Sequence, residues 1–190
     1  MNTLIKAQIN ESINLKKALL RDEFIDTIIT VGKVVANAYK NNKKVILFGN
    51  GGSAADAQHI AAELVGKYRL VRSGLPALAL TTNTSIITAI GNDFSFDDVF
   101  SHQIETFGEE GDIAIGITTS GKSKNVINGL KKARKRRLTT IVLTGKDGMQ
   151  LKKITDYCIC VPSVDTPRIQ EIHITIGHII CEIVERLLFR

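Results

Sequence analysis

The sequence predicts an α/β protein: a five-stranded parallel sheet flanked by helices, with a helical extension at its N-terminus. Three observations predict it. Five short, mostly apolar runs alternate with helical segments, which is the pattern of strands buried on both faces. Two of those runs end in turns rich in glycine and hydroxyl groups that lead directly into helices. The first forty residues carry a helical period and no strand signal.

In that first segment Ile5, Ile9 and Ile13 form one apolar stripe, and Phe24, Ile28, Val31, Val35 and Ala38 form another, with Asp22 as a cap between them. So much apolar surface before any strand suggests that residues 1–42 form a helical oligomerisation segment packing against another subunit. Strands are expected at 44–49, 75–82, 112–118, 139–144 and 156–161. Helices are expected near 53–66, 84–91, 97–107, 122–135, 148–154 and 167–188. Ligands of such a sheet collect at the carboxyl ends of its strands.

At 190 residues with 44% hydrophobic content the chain can bury a full core, and a single domain over 1–190 is expected. No apolar run reaches the roughly 18 residues of a membrane span, and the N-terminus lacks a secretory pattern, so no membrane partner and a cytoplasmic location are expected. The net charge of +6 favours anionic ligands. The one tight basic run, Lys131 to Arg137, reads as a solvated helix end, and seven Phe, three Tyr and no Trp offer little for base stacking, so no nucleic-acid partner is expected. Cys158, Cys160 and Cys181 read as small buried apolar residues, the first two on opposite faces of one strand.

Gly49-Asn50-Gly51-Gly52-Ser53 is an anion-receiving corner, with Ser53 able to cap the helix that follows. That helix presents His59 and Glu63 one turn apart, a spacing that can share a metal ion or divide proton transfer. The second corner, Thr118-Thr119-Ser120-Gly121-Lys122-Ser123, suits a phosphate that is held rather than transferred. Gly116 to Ser123 formally matches a P-loop, but the strands at 75–82 and 139–144 end in threonine where magnesium would need an aspartate. In the last helix Arg168, Gln170, Glu171, His173 and His178 lie among isoleucines, which suggests helix pairing or a site.

Together with Gly91-Asn92-Asp93-Phe94 and Leu143-Thr144-Gly145-Lys146-Asp147-Gly148, these motifs closely resemble the sugar isomerase (SIS) fold, a flavodoxin-like three-layer sandwich, and within it the bacterial phosphoheptose isomerases. The resemblance spans residues 1 to 190. It implies a cytoplasmic, zinc-binding homotetramer that converts sedoheptulose 7-phosphate to D-glycero-D-manno-heptose 7-phosphate on the way to the ADP-heptose of lipopolysaccharide. It implies His59, Glu63, Gln170 and His178 as zinc ligands. The implied substrate contacts are Asn50, Gly51, Gly52, Ser53, Glu63, Asn92, Asp93, Thr118, Thr119, Ser120, Ser123 and Gln170. Of the catalytic pair, Glu63 is the better base, and His178 the better acid because imidazole exchanges protons near neutral pH. A scaffold of the DnaA initiator-associating type is the alternative; that group lacks equivalents of Glu63 and His178, and both are present here.

Overall fold

The computed structural model describes residues 1–190. Two helices, α1 (Asn2–Ala18) and α2 (Asp22–Lys40), precede β1 (Val45–Gly49) and α3 (Gly52–Val65). There follow β2 (Ala77–Ala79), α4 (Thr84–Asp93), α5 (Val99–Phe107), β3 (Ile113–Thr118), α6 (Lys124–Lys135), β4 (Thr139–Gly145), β5 (Tyr157–Val161) and α7 (Thr166–Phe189). Short 3-10 helices cover Phe96–Asp98 and Lys146–Lys153. All strand pairs are parallel, in the order β2-β1-β3-β4-β5. This order reverses direction between β1 and β3, and so opens a crevice at their carboxyl ends.

The central strands are apolar on both sides because helices cover both faces. On one, Val45, Leu47, Ile115 and Ile117 pack against α2, α3 and α7 in a cluster of 28 buried residues. On the other, Ile46, Phe48, Ala114 and Val142 pack against α5 and α6 in a cluster of 13. Strand β2 is shorter than the expected 75–82. It is an edge strand, and Pro76 before it has no N–H to extend the ladder, although its carbonyl still accepts from Val45 N at 3.0 Å.

Three local expectations need correction. Helix α2 begins at Asp22 itself, with Arg21 in extended conformation at the cap, so Asp22 and Glu23 face the positive end of the dipole instead of capping it. Ser53 does not cap α3. Gly51 takes φ 56° and is itself the cap, two residues before Ser53, and the helix opens at Gly52 with Ser53 already inside and buried. Cys158 and Cys160, two apart on β5, share one face and line one groove, half-buried, since side chains repeat every second residue in a strand. Cys181 alone is fully buried.

The basic run behaves as a helix end. Lys132 and Arg136 pair with Glu105, Arg137 pairs with Glu110, and Arg136 donates to the carbonyl of Gly108 at 2.9 Å. Helix α1 buries none of its residues. It is tied to α7 by polar bonds: Arg168 Nη1 to the carbonyl of Gln8 at 2.9 Å and Ser12 Oγ to Glu171 at 2.6 Å. Arg168 and Glu171 therefore serve helix pairing.

Candidate active site and metal centre

Parallel β1 and β3 are neighbours, with Gly49 opposite Ile117, so the two turns sit side by side at the sheet's carboxyl edge. The turns are joined by a pair of amides that sequence reading missed. Asn50 Nδ2 donates to Asn125 Oδ1 at 2.9 Å, and Asn125 Nδ2 donates back to Asn50 Oδ1 at 3.0 Å. Both polar atoms of the Asn50 side chain thus engage protein, while Gly51 and Gly52 lie exposed.

In the second turn the buried Thr118 Oγ1 donates to Ser123 Oγ and accepts from Gly121 N, both at 3.2 Å, and Ser120 Oγ accepts from Lys122 N at 3.2 Å. Gly121 takes φ 65°, and a Cβ there would stand 3.1 Å from Gly148 N, so the turn needs glycine on both counts. Thr119 gives its carbonyl to Gly145 N at 3.0 Å. The hydroxyls and N–H groups of 118–123 converge at the start of α6, the arrangement that receives an anion. Asn92 and Asp93 close α4 at the exposed surface, where Asn92 Nδ2 donates to Asp93 Oδ1 at 2.8 Å; no hydrogen bond ties them to either turn.

The second half of the site lies on the seam between α3 and α7. At Gly177 a Cβ would come 2.6 Å from Ile60 Cδ1, so only glycine allows the helices to approach this closely. The next residue, His178, is thereby delivered to α3. Its Nδ1 lies 2.9 Å from Glu63 Oε1, and His59 Nε2 lies 3.2 Å from the same oxygen. The two imidazoles meet edge-on with centroids 5.1 Å apart, and Tyr68 stacks on His178 at 5.7 Å. One ligand atom from each of His59, Glu63 and His178 falls within 4.8 Å of the others.

This cluster is close but not internally satisfied. Glu63 Oε2 is buried with no partner, and His178 Nδ1 has no hydrogen bond of acceptable angle despite its distance from Glu63. Buried donors and acceptors are ordinarily paired, so these atoms point at something the chain does not supply. Two imidazoles and a carboxylate are a donor set suited to zinc, and separations of 2.9 and 3.2 Å are near the roughly 3.3 Å between neighbouring ligands of a tetrahedral ion with bonds of about 2 Å. Gln170 lies two turns earlier on the same unbroken α7, its Cδ 2.9 Å from where a Gly52 Cβ would be, which places its amide on the first turn of α3.

Behind the cluster is a fully buried carboxylate. Glu185 on α7 accepts from the backbone N–H groups of Tyr68, Arg69 and Leu70 at 3.0–3.1 Å and from Arg72 Nε at 2.9 Å. Arg72 also donates to the carbonyls of Glu63 and Leu64 at 2.9 and 2.8 Å. Burial alone would raise the Glu185 carboxyl, yet these donors hold it below the usual range. The pair fastens the carboxyl end of α3 and the segment bearing Tyr68 to α7. Cys181, one turn past His178, lies in the core near Glu63; burial, then the Glu63 carboxylate, pushes its thiol far up and leaves it unreactive. His173 is wholly buried, and burial lowers its imidazole to about 4, with only partial compensation from the Thr144 backbone.

The chain matches the SIS domain family over residues 9–145. It is 54% identical over 190 residues to the phosphoheptose isomerase of Clostridium acetobutylicum, covering 100% of this chain and 97% of that protein. It is 52% identical over 183 residues to that of Aquifex aeolicus, covering 96% and 95%. Among solved structures, the phosphoheptose isomerase from Neisseria gonorrhoeae superposes with a TM-score of 0.91 at 40% identity over 97% of this chain and 98% of that one. The enzyme from Francisella tularensis superposes with a TM-score of 0.93 at 34% identity over 98% and 100%. The chain belongs to the phosphoheptose isomerase family and is a sugar isomerase.

Proposed function

We propose that this enzyme interconverts sedoheptulose 7-phosphate and D-glycero-D-manno-heptose 7-phosphate, and that His59, Glu63 and His178 would hold zinc; Gln170, at the Gly52 end of the seam two turns from His178, would touch the sugar and not the same ion. The observation that carries the reading is the 2.9 Å approach of the His178 imidazole to the Glu63 carboxylate, whose second oxygen is left free. Moving the carbonyl from C2 to C1 requires a proton to leave C1 and return at C2 through a cis-enediol, while a second proton passes between the two oxygens. Glu63 Oε2, buried and unpartnered, takes and returns the carbon-bound proton. His178 exchanges the proton at the oxygen, held in place by Tyr68 on its face. When bound, zinc supplies Lewis-acid polarisation of the carbonyl oxygen. The turn of residues 118–123 grips the phosphate, and that remote binding energy orients the reacting carbons. The 54% identity to a protein named for this activity, and the presence of both Glu63 and His178, weigh against a scaffold.

The proposal extends to a cytoplasmic homotetramer that supplies heptose for the ADP-heptose of lipopolysaccharide. No helix is long and apolar enough to cross a membrane. Leu4, Ile5, Ile9 and Ile13 of α1 and Leu20 after it are exposed, apolar surface that neighbouring subunits would cover. Light scattering of the purified protein should give four times the 20.8 kDa chain mass. Incubation with sedoheptulose 7-phosphate should yield the aldose phosphate, and a chelator should remove the activity; turnover indifferent to chelation would discard the zinc.

A further inference from the structure

The seam between α3 and α7 contains a third carboxylate that neither the motifs nor the proton-transfer scheme uses. Gly52, Asp56, His59 with Ile60, and Glu63 follow one another at helical spacing along a single stripe of α3. One end of the stripe meets Gln170 at Gly52, and the other meets Gly177 and His178 at Ile60 and Glu63. Asp56 is midway, four residues from Gly52 and four from Ile60, or about 6 Å along the axis from each. Its Oδ2 is buried and has no hydrogen-bond partner, and no Lys or Arg pairs with it. Burial pushes its carboxyl up, against the opposing pull of His59 and then His178, both near enough to act on it.

We propose that Asp56 is a substrate-specificity residue, its free Oδ2 accepting a hydroxyl of the sugar chain between the Gln170 end of the seam and the reacting carbons at Glu63. An acceptor without a protein donor, flanked by an amide at one end and the proton-transfer pair at the other, suits a linear polyol whose successive hydroxyls need acceptors. The alternative, that Asp56 orients His59 from behind, would require His59 to donate to it, and no such bond is formed.

This assignment rests on the isomerase reading above, and the test separates the two. Asp56→Ala and the isosteric Asp56→Asn are assayed for kcat and KM with sedoheptulose 7-phosphate, for inhibition by inorganic phosphate, and for bound zinc. The alanine variant should raise KM on the order of 10- to 100-fold, the range for losing a hydrogen bond to a charged group. It should change kcat less than about threefold, the asparagine variant should fall between, and phosphate inhibition and zinc content should match wild type. KM within twofold of wild type in both variants overturns the proposal. So does loss of zinc, which would make Asp56 a support for His59, or an equal weakening of phosphate inhibition, which would make its role structural. If the alanine variant does not fold, the asparagine variant decides alone. Wild type that leaves the ketose phosphate unchanged defeats the isomerase reading, and this one with it.

Discussion

Glu63, half-buried with one oxygen fully enclosed, and Glu185, buried, are both carboxylates on the seam between α3 and α7, and their surroundings are opposite. Glu185 accepts from three backbone N–H groups and one guanidinium. Glu63 faces two imidazoles through one oxygen and nothing through the other. A carboxylate whose lone pairs are all engaged by its own chain can only hold structure together. One whose oxygen is buried and unengaged bears an uncompensated cost in the free protein, and such a cost persists where a ligand removes it. Arg72 connects the two, since the guanidinium that pairs Glu185 also donates to the Glu63 carbonyl, so the satisfied carboxylate holds the unsatisfied one in position.

That contrast can be broken from either side. The largest effect is expected at Glu63: Glu63→Gln should lower kcat by on the order of 10³-fold or more, the scale of losing a general base, with the melting temperature nearly unchanged. Turnover close to wild type would remove Glu63 from the chemistry. Arg72→Met strands Glu185 without its cation and should cost about 3–5 kcal/mol of stability, read by denaturant unfolding. Its smaller effect on kcat would arise from the displaced Tyr68 and Glu63, and an unchanged midpoint would mean the pair is no clamp.

The smallest effect is a pH dependence that neither carboxylate explains. His173 has a folded-state pKa lowered to about 4 by burial, so its neutral form is favoured on folding. Its contribution is therefore intact above the unfolded-state value near 6.5 and is lost as pH falls from there towards 4, at up to about 1.4 kcal/mol per pH unit. His173→Leu should flatten the stability profile over that window. Glu185, whose carboxyl is lowered, acts below it: its contribution is present above roughly pH 4 and is lost as the pH falls further. A profile as steep in His173→Leu as in wild type would assign the titration elsewhere.

Much of this molecule could be read along the chain because its signals are local. The apolar runs at 44–49, 112–118 and 139–144 became strands β1, β3 and β4 to within one residue at each end, and of the stripe Phe24, Ile28, Val31, Val35 and Ala38 all but the half-buried Phe24 became the buried face of α2. The hydroxyls of 118–123 bond within their own turn, so their spacing announced their geometry. His59 and Glu63 meet because four residues are one helical turn. Ser53 was misjudged for an equally local reason, because the positive φ of Gly51 set the cap two residues before it.

What the sequence determined by itself is thus the alternation of strand and helix, the two turns that lead from strands into helices, and the one-turn spacing of His59 and Glu63. The partnerships were decided only by the tertiary structure: Glu63 with His178 across 115 residues, Asn50 with Asn125 across 75, Arg72 with Glu185 across 113, and the burial of Asp56 Oδ2 without a partner. Periodicity and turn chemistry depend on neighbours within one or two turns, so a single chain displays them. Whether a buried carboxylate is satisfied depends on donors brought from distant segments, and those distances exist only after the helices close on Gly177.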